Sequence, residues 1–460
     1  MSTSATLQVQ NSYAHILKIA MPVGLAILIP QLNILTNTVF LGYYHPVNQI
    51  AGSQNLLAAS GVAGIFYLMM AMTGYGLVSG IMMLMSRKAG EDDRSGMARL
   101  FNHGLWLALA LSLVLLLLTQ VTAPFLFRRF IHDEAVRESA IRFIRIRSFG
   151  LPFLTLCQMA NSFFLSVSAS RNIVYGTLLQ TVTNILFDYL LIFGWMFIPE
   201  LGLLGSAIAS VLAEVANAVV ALAFVFRVAA RKRIPVRIGR INDISLMRQM
   251  LYKSSPLLIQ YFLSIGAWEV FFIFVEHLGS NESALSQIFR SVFGLVGVAA
   301  WALASTCNSM VSNLIGQKST HEVIPLIHKI VSISFSFAFL SGLPILLFPK
   351  PFLSLLTDNA NLIETGADSL RIVVLATWML SVSTIVFNGV VGTGKTRLNM
   401  IFESIAISFY LLYIFLVIEK WRMPLAYAWL SEFVYWCSLF LLSFFYFYSG
   451  YWKKNLYTEG

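Results

Sequence analysis

Long apolar runs dominate the chain, and short polar connections separate them. The runs lie at 17–42, 58–84, 100–122, 142–165, 173–195, 203–226, 252–278, 286–312, 326–347, 370–391, 400–418 and 424–448. Because about 20 apolar residues in a helix cross the ~30 Å hydrocarbon core of a bilayer, each run predicts a transmembrane helix. Membrane β-strands would be about 10 residues long and would alternate in polarity. The pattern therefore predicts an all-α integral membrane protein with twelve spans, numbered here span 1 to span 12.

Six spans lie on each side of the longest polar stretch. Short sequences recur at matching places: SRKAG ends span 2 and LIGQK ends span 8, while SVSASRN precedes span 5 and GTGKTRLN precedes span 11. Two halves with six spans each have the same orientation, which predicts a parallel pseudo-repeat. We expect a six-helix bundle at 1–226, a basic cytoplasmic linker at 227–251 and a six-helix bundle at 252–460, with the substrate held at the interface of the bundles.

Composition narrows the class of protein. Hydrophobic residues make up 58% of the 460 residues and charged residues 11%, whereas soluble domains carry about 25% charged residues. This excludes a soluble enzyme, and the high hydrophobicity excludes an intrinsically disordered chain. The first apolar run is too long for a signal peptide, so we expect it to be retained as a transmembrane helix.

The net charge of +10 indicates membrane topology rather than nucleic-acid binding, because Lys and Arg are spread through the connections between spans. With the N-terminus in the cytoplasm, 20 of the 31 Lys and Arg residues fall on the cytoplasmic side, as the positive-inside rule requires. We expect a multi-pass inner-membrane protein with both termini in the cytoplasm. One cluster, around the connection between spans 3 and 4, breaks the rule: Arg128, Arg129, Arg137, Arg142, Arg145 and Arg147.

Span 5 carries a polar stripe. Thr177, Thr181, Asn184 and Asp188 are spaced so that they share one face of a helix. Asp188 lies among Ile, Leu, Phe and Tyr, where an ionised carboxylate needs a cation or several hydrogen-bond donors, or takes up a proton. The stripe suits a cation-coupled carrier, and the alternative is a hydrogen-bond clamp between helices.

Further polar side chains occur in the other spans of the first half. They are Asn33 and Asn37 on span 1, Gln158 and Asn161 on span 4, and Ser206, Ser210, Glu214 and Asn217 on span 6. Carboxylate, amide and hydroxyl oxygens are ligands that suit Na⁺. We expect Asn37, Asn161 and Asn184 to belong to a cation site, and Ser206 and Asn217 to join helices.

The second half has its own acids. Glu269 lies in GAWEVFF, and a carboxylate among aromatic rings suits an organic cation; an Arg or amide partner is the alternative. Glu269, Asn388 on span 10, and Asn33 and Thr181 from the first half are the candidate residues of the substrate cavity. Glu403 and Glu432 are expected to be structural partners or cavity walls.

The string GVVGTGKT at 389–396 fits the pattern of a P-loop. A P-loop needs a strand before it and an α/β domain around it, whereas apolar helices flank this string. We expect Gly389–Thr396 to form a tight turn between spans 10 and 11, and we expect no ATP binding.

The chain resembles the multidrug and toxin extrusion (MATE) transporters over nearly its whole length. The pieces that match are AMPVGL, SRKAG, LIGQK, GTGKTRLN and, above all, NILFDYLLIFG followed by LGLLGSAIAS. The resemblance implies an antiporter that exchanges H⁺ or Na⁺ for organic, often cationic, compounds by alternating access. It implies a cation site in the first bundle that includes Asn161, Asn184, Asp188 and Ser210.

This sequence departs from the family pattern at three places. Asn37 stands where the family usually has an Asp on span 1, the Glu that some members use on span 7 would fall near Ile265, and the Asp of span 10 has no clear counterpart. Asp188 alone would then carry the coupling ion.

We therefore predict a monomeric secondary transporter that exports drug-like compounds. Its coupling ion is H⁺ or Na⁺, with Na⁺ at Asp188 the one metal ion expected, and it uses no cofactor. A lipid-linked sugar flippase is the alternative, for which only Arg290 and Arg371 are candidate head-group ligands. A membrane enzyme is disfavoured, because no nucleophile with a base, metal pair or nucleotide domain is evident.

Overall fold

The computed structural model describes residues 6–43, 53–196, 199–239 and 243–453, and within these residues the fold is helical without β-strands. The helices are α1 Tyr13–Tyr43, α2 Ser53–Gly90, α3 Arg94–Phe130, α4 Glu134–Arg147, α5 Leu151–Ser166, α6 Arg171–Phe193, α7 Leu203–Arg231, α8 Ile244–Glu276, α9 Ser280–Gly316, α10 Val323–Leu347, α11 Pro349–Ser354, α12 Ala360–Gly392, α13 Thr396–Ile414, α14 Leu425–Trp429 and α15 Ser431–Tyr448. A π-helical segment, Phe415–Lys420, continues α13. The predicted all-α class is confirmed.

Eleven helical segments in the described part of the chain are long and apolar enough to cross a membrane, and they correspond to every predicted span except span 4. Span 4 is built from two helices, α4 and α5, which a short turn at Ser148–Gly150 joins. Pro152 lies at the start of α5, and since proline lacks an amide hydrogen it favours a helix start rather than a continuous helix. Asp133 caps α4 by accepting from the amides of Ala135 and Val136.

Exposed apolar side chains form stripes along the helices. On α3, Leu117, Val121 and Phe125 share one face and are 64%, 73% and 71% exposed. Apolar surface of this extent is unfavourable in water, and a hydrocarbon environment covers it at no cost. The stripes fit a helix that faces lipid.

The chain divides into two compact units. The first holds Leu25–Met85 and Asp93–Leu258, and its apolar core includes Phe66, Phe127 and Phe143. The second holds the chain from Ile259 onwards together with Gln8–Gly24 and Ser86–Asp92. Its core surrounds Trp429, whose ring meets those of four phenylalanines edge-on or tilted: Phe271, Phe272, Phe289 and Phe293.

Matching turns in the two halves support the pseudo-repeat. Asp92 after α2 and Lys318 after α9 both have positive φ, and so do Ser168 after α5 and Gly394 after α12. The same spacing separates the members of each pair. In the second pair, α12 ends at Gly392 and α13 begins at Thr396, so the P-loop-like string ends in the expected tight turn.

Helices α2 and α9 approach each other closely within the second unit. A Cβ atom on Gly90 would lie 2.0 Å from the carbonyl oxygen of Asn313, and one on Gly316 would lie 2.1 Å from that of Arg87. The amide of Val9 donates to Oδ1 of Asn313 at 3.1 Å beside this contact. Backbone meets backbone here, so only glycine fits at the two positions.

We expect Gly316→Ala to lower the free energy of unfolding by about 1–3 kcal/mol, because the added methyl group must push two backbones apart. Gly294→Ala is the matched control on the same helix, since no heavy atom lies within 4 Å of a Cβ there. Thermal unfolding of the purified protein in detergent measures both. Equal melting temperatures for the two variants would contradict the close approach.

Candidate functional site

A tight hairpin between α6 and α7 builds the candidate site. The amide of Leu201 donates to the carbonyl oxygen of Leu191 at 2.9 Å as the chain returns. A Cβ on Gly205 would lie 2.4 Å from the same oxygen, so the start of α7 packs directly on the end of α6. This contact explains the block NILFDYLLIFG…LGLLGSAIAS: it brings the serines of α7 beside Asn184 and Asp188.

Asp188 is fully buried, with 0% of its surface exposed. Nδ2 of Asn184 donates to its Oδ2 at 2.8 Å, and Oγ of Ser210 donates to Oδ1 of Asn184 at 3.4 Å. Oδ1 of Asp188 has no hydrogen-bond partner among the described residues, although the Ser206 hydroxyl lies beside the carboxyl. Asn184, which Ser210 holds in turn, therefore orients one carboxylate oxygen of Asp188, while the other has no partner among the described residues.

The predicted stripe of α6 faces the interior of the first unit. Thr177 and Thr181 are buried, as are Asn184 and Asp188. The Thr177 hydroxyl donates to the carbonyl oxygen of Ile173 at 3.0 Å. An available carboxylate oxygen with an amide and hydroxyls around it can accept a proton or ligate a small cation. The arrangement is an acidic site enclosed by one helical hairpin.

One predicted residue of the cation site, Asn161, is half-buried on α5 and makes no hydrogen bond to Asp188, Asn184 or Ser210 among the described residues. The backbone of α1 passes through Asn33 and Asn37, but their side chains lie outside the described residues. Their roles stay predictions.

Glu269 and Asn388, the predicted cavity residues of the second half, have partners within their own unit. Nη2 of Arg290 donates to Oε1 of Glu269 at 2.8 Å, and its guanidinium lies 4.6 Å from the ring centre of Trp268. The cation beside Glu269 and its aromatic neighbours is thus the guanidinium of Arg290, which belongs to the chain itself. Asn388 donates to the Thr384 carbonyl of its own helix at 2.9 Å.

A buried ion pair beside the site was missed by the sequence analysis. Nη1 and Nη2 of Arg147 donate to the two carboxylate oxygens of Glu214 at 2.8 and 2.6 Å. Tyr67 donates its hydroxyl to the same carboxylate at 2.9 Å, and the guanidinium lies 3.7 Å from its ring centre. Glu214 follows Ser210 by one turn of α7. The only signals were Glu214 in the span 6 stripe and Arg147 in the cluster that broke the charge rule.

Gly150 leaves the room that this ion pair needs in the turn between α4 and α5. A Cβ there would lie 1.9 Å from Oε2 of Glu214 and 2.6 Å from Nη1 of Arg147. The short turn between α4 and α5 therefore passes directly over the ion pair, and any larger residue would separate the two charges.

Comparison with known proteins places this arrangement in a family. The family model MatE matches residues 32–190 and 256–417, once in each half of the chain. This chain belongs to the MatE family. The resemblance drawn from the sequence is confirmed, and the double match is a second sign of the pseudo-repeat.

Relatives of this MatE protein align along most of its length. A "Probable multidrug resistance protein NorM" of Thermotoga maritima is 22% identical over 96% of this chain and 93% of its own. A protein of the same description from Synechocystis sp. is 23% identical over 86% of each chain.

Solved structures share the fold. "Outward-facing conformation of a multidrug resistance MATE family transporter of the MOP superfamily" covers 99% of each chain with a TM-score of 0.84 and 16% identity. "Crystal structure of MATE in complex with MaL6" covers 100% of this chain and 99% of its own, with a TM-score of 0.81 and 16% identity.

We expect Glu214→Gln to destabilise this MatE protein by about 3–5 kcal/mol, because Arg147 would keep a buried charge without its counter-charge. Glu138→Gln is the matched control: its carboxylate lies 3.8 Å from Arg137 at the surface, where an ion pair contributes about 0–1 kcal/mol. Thermal unfolding in detergent distinguishes the variants. Replacing both buried partners, as Arg147→Met with Glu214→Leu, should recover most of the loss; a Glu214→Gln protein as stable as the Glu138→Gln protein would contradict the role of the pair.

Proposed function

We propose that this MatE protein is a secondary active multidrug exporter that takes up H⁺ or Na⁺ in exchange for an organic compound. The single observation that carries the proposal is the Asp188 carboxylate, which is fully buried and has one oxygen without a partner among the described residues. The relatives described as multidrug resistance proteins, which align with most of the chain, support the direction and the class of cargo.

Coupling follows from electrostatics. An ionised Asp188 in apolar surroundings carries a cost that a proton or Na⁺ removes. Binding of the ion then stabilises one conformation of the transporter, and release of the ion allows the other conformation to form again. Ion and substrate are therefore bound in turn. Asn184, Ser210, Asn161 and Asn37 are the proposed oxygen donors around the ion, and Asn184 already holds the carboxylate at 2.8 Å.

The cargo is proposed to be organic and often cationic, bound by aromatic and apolar surfaces with Glu269, Asn33, Thr181 and Asn388, and a cationic cargo would replace Arg290 at Glu269. The energy comes from an ion gradient, without ATP, a cofactor or catalysis of a chemical reaction. The protein would act as a monomer in the inner membrane, with both termini in the cytoplasm, as the distribution of Lys and Arg favours.

Charge pairing argues against the flippase alternative. A diphosphate head group needs free cationic side chains, and the two candidates are engaged. Arg290 is bonded to Glu269 at 2.8 Å, and Arg371 is bonded to Asp368 at 2.7 Å.

We expect Asp188→Asn to abolish gradient-driven efflux of a fluorescent cationic dye from proteoliposomes. The neutral amide cannot take up and release a proton or Na⁺ as a carboxylate does. The measurement varies the pH and Na⁺ gradients independently. Asp368→Asn, an exposed acid in the second unit, is the control and should keep wild-type efflux. Full coupled efflux in Asp188→Asn would refute the coupling site, and wild-type efflux that ignores both gradients would refute antiport.

A further inference from the structure

A second buried acid lies in the second unit, on α13. Glu403 is 1% exposed. Ser264 on α8 and Tyr435 on α15 both donate their hydroxyl groups to the same carboxylate oxygen, Oε1. Oε2 is buried and has no hydrogen-bond partner among the described residues. Glu403 therefore repeats the half-satisfied state of Asp188 in a different place.

Glu403 differs from the other buried acids in how its charge is balanced. Glu214 and Glu269 are each bonded to an arginine. Glu432, within one turn of Tyr435 on α15, accepts the Tyr410 hydroxyl on Oε1 at 3.3 Å and the Trp436 indole N–H on Oε2 at 3.0 Å. In the described part of the chain Glu403 has no ion pair, and one of its oxygens has no donor, so a lasting negative charge there would be costly.

The groups around Glu403 form a polar line through the second unit. Tyr410 lies on the same helix as Glu403, and Tyr435 and Glu432 lie on α15, with the Tyr410 and Tyr435 rings 5.6 Å apart. Glu269 of the same unit is bonded to Arg290. These titratable groups are hydroxyl donors and further acids. None of them is an unpaired cation that could stabilise an ionised Glu403.

Asn399, one turn before Glu403 on α13, extends the line. Its Nδ2 donates to Oε1 of Gln260 on α8 at 2.7 Å, and its Oδ1 is buried without a partner among the described residues. Two unsatisfied acceptor oxygens thus lie one turn apart on the same helix. Such acceptors gain a partner when a hydrogen-bond donor enters, which points to an entering proton carrier such as water.

The pseudo-repeat sets this acid apart from Asp188. The spacing that relates Ser168 to Gly394 also relates Thr177 of α6 to Glu403 of α13. The two half-satisfied acids therefore occupy corresponding helices at different positions: Glu403 lies close to the middle of α13, and Asp188 lies in the last third of α6.

We propose that Glu403 is a second proton-exchange site, which binds a proton on Oε2 and returns it to water during the transport cycle. Ser264 and Tyr435 are positioning residues that hold Oε1. The inference rests on the proposed function, because it adds a proton to the same ion-for-substrate exchange, with Asp188 and Glu403 each binding one ion.

The test counts protons released by the purified full-length transporter when a weakly buffered detergent solution is shifted from mildly acidic to mildly alkaline pH. We compare wild type, Asp188→Asn, Glu403→Gln and the double variant, with Glu364→Gln as the control at an exposed ion pair of the same unit. Glu403→Gln should release about one proton fewer than wild type, and the control should match wild type. If Asp188 also exchanges a proton, the double variant should release about two protons fewer than wild type.

A folded Glu403→Gln protein that releases as many protons as wild type would overturn the inference and leave Asp188 in place. A normal Asp188→Asn proton count and normal coupled efflux, with a reduced count in Glu403→Gln, would instead remove the proposed function at Asp188. If Glu403→Gln does not fold, Glu403→Asp is tested instead, and the measurement is the infrared carbonyl band of a protonated acid. That band should disappear on alkaline titration in wild type and shift in the Asp variant, and a band unchanged by titration and by the variant would overturn the inference.

Discussion

A carboxylate buried among apolar helices must be neutralised, and this chain meets that constraint in three ways. Glu214 and Glu269 are bonded to arginines. Glu432 has a donor for each oxygen. Among the described residues, Asp188 and Glu403 have donors for one carboxylate oxygen only. Pairing with arginine neutralises a buried charge, whereas a carboxylate with an incomplete hydrogen-bond shell has a negative charge that is costly unless a proton or a cation neutralises it.

One helix of the first unit, α7, contributes residues to both the ion pair and the acidic site. Helix α7 presents Ser206 and Ser210 towards the end of α6 and Glu214 towards Arg147. Gly205 allows α7 to begin against α6, and Gly150 allows the chain to pass over the ion pair. A bidentate pair at one end of this face makes the register of α7 costly to change, so that the serines stay beside Asn184 and Asp188.

Sequence patterns predicted the parts of this structure that depend on local spacing. Run length predicted the spans, and the i, i+4, i+7 and i+11 spacing predicted the buried face of α6 that carries Asp188. The partner of Glu214 could not be predicted in this way, because Arg147 lies on another helix and no spacing rule connects them. The need for glycine at position 150 was missed for the same reason, because the charged pair that excludes a larger residue there is formed only in the fold.

Position along the helix has an electrical consequence for the two half-satisfied acids. Glu403 corresponds to Thr177, which precedes Asp188 on α6. Since each residue advances a helix by 1.5 Å, the two charges stand at positions along corresponding helices that differ by roughly 16 Å of helical rise. An elementary charge that crosses the whole membrane potential gains or loses about 2.3 kcal/mol per 100 mV. If Asp188 and Glu403 exchange ions as proposed, their occupation would respond unequally to voltage, and the cell's electrical potential as well as concentration would then set the direction of transport.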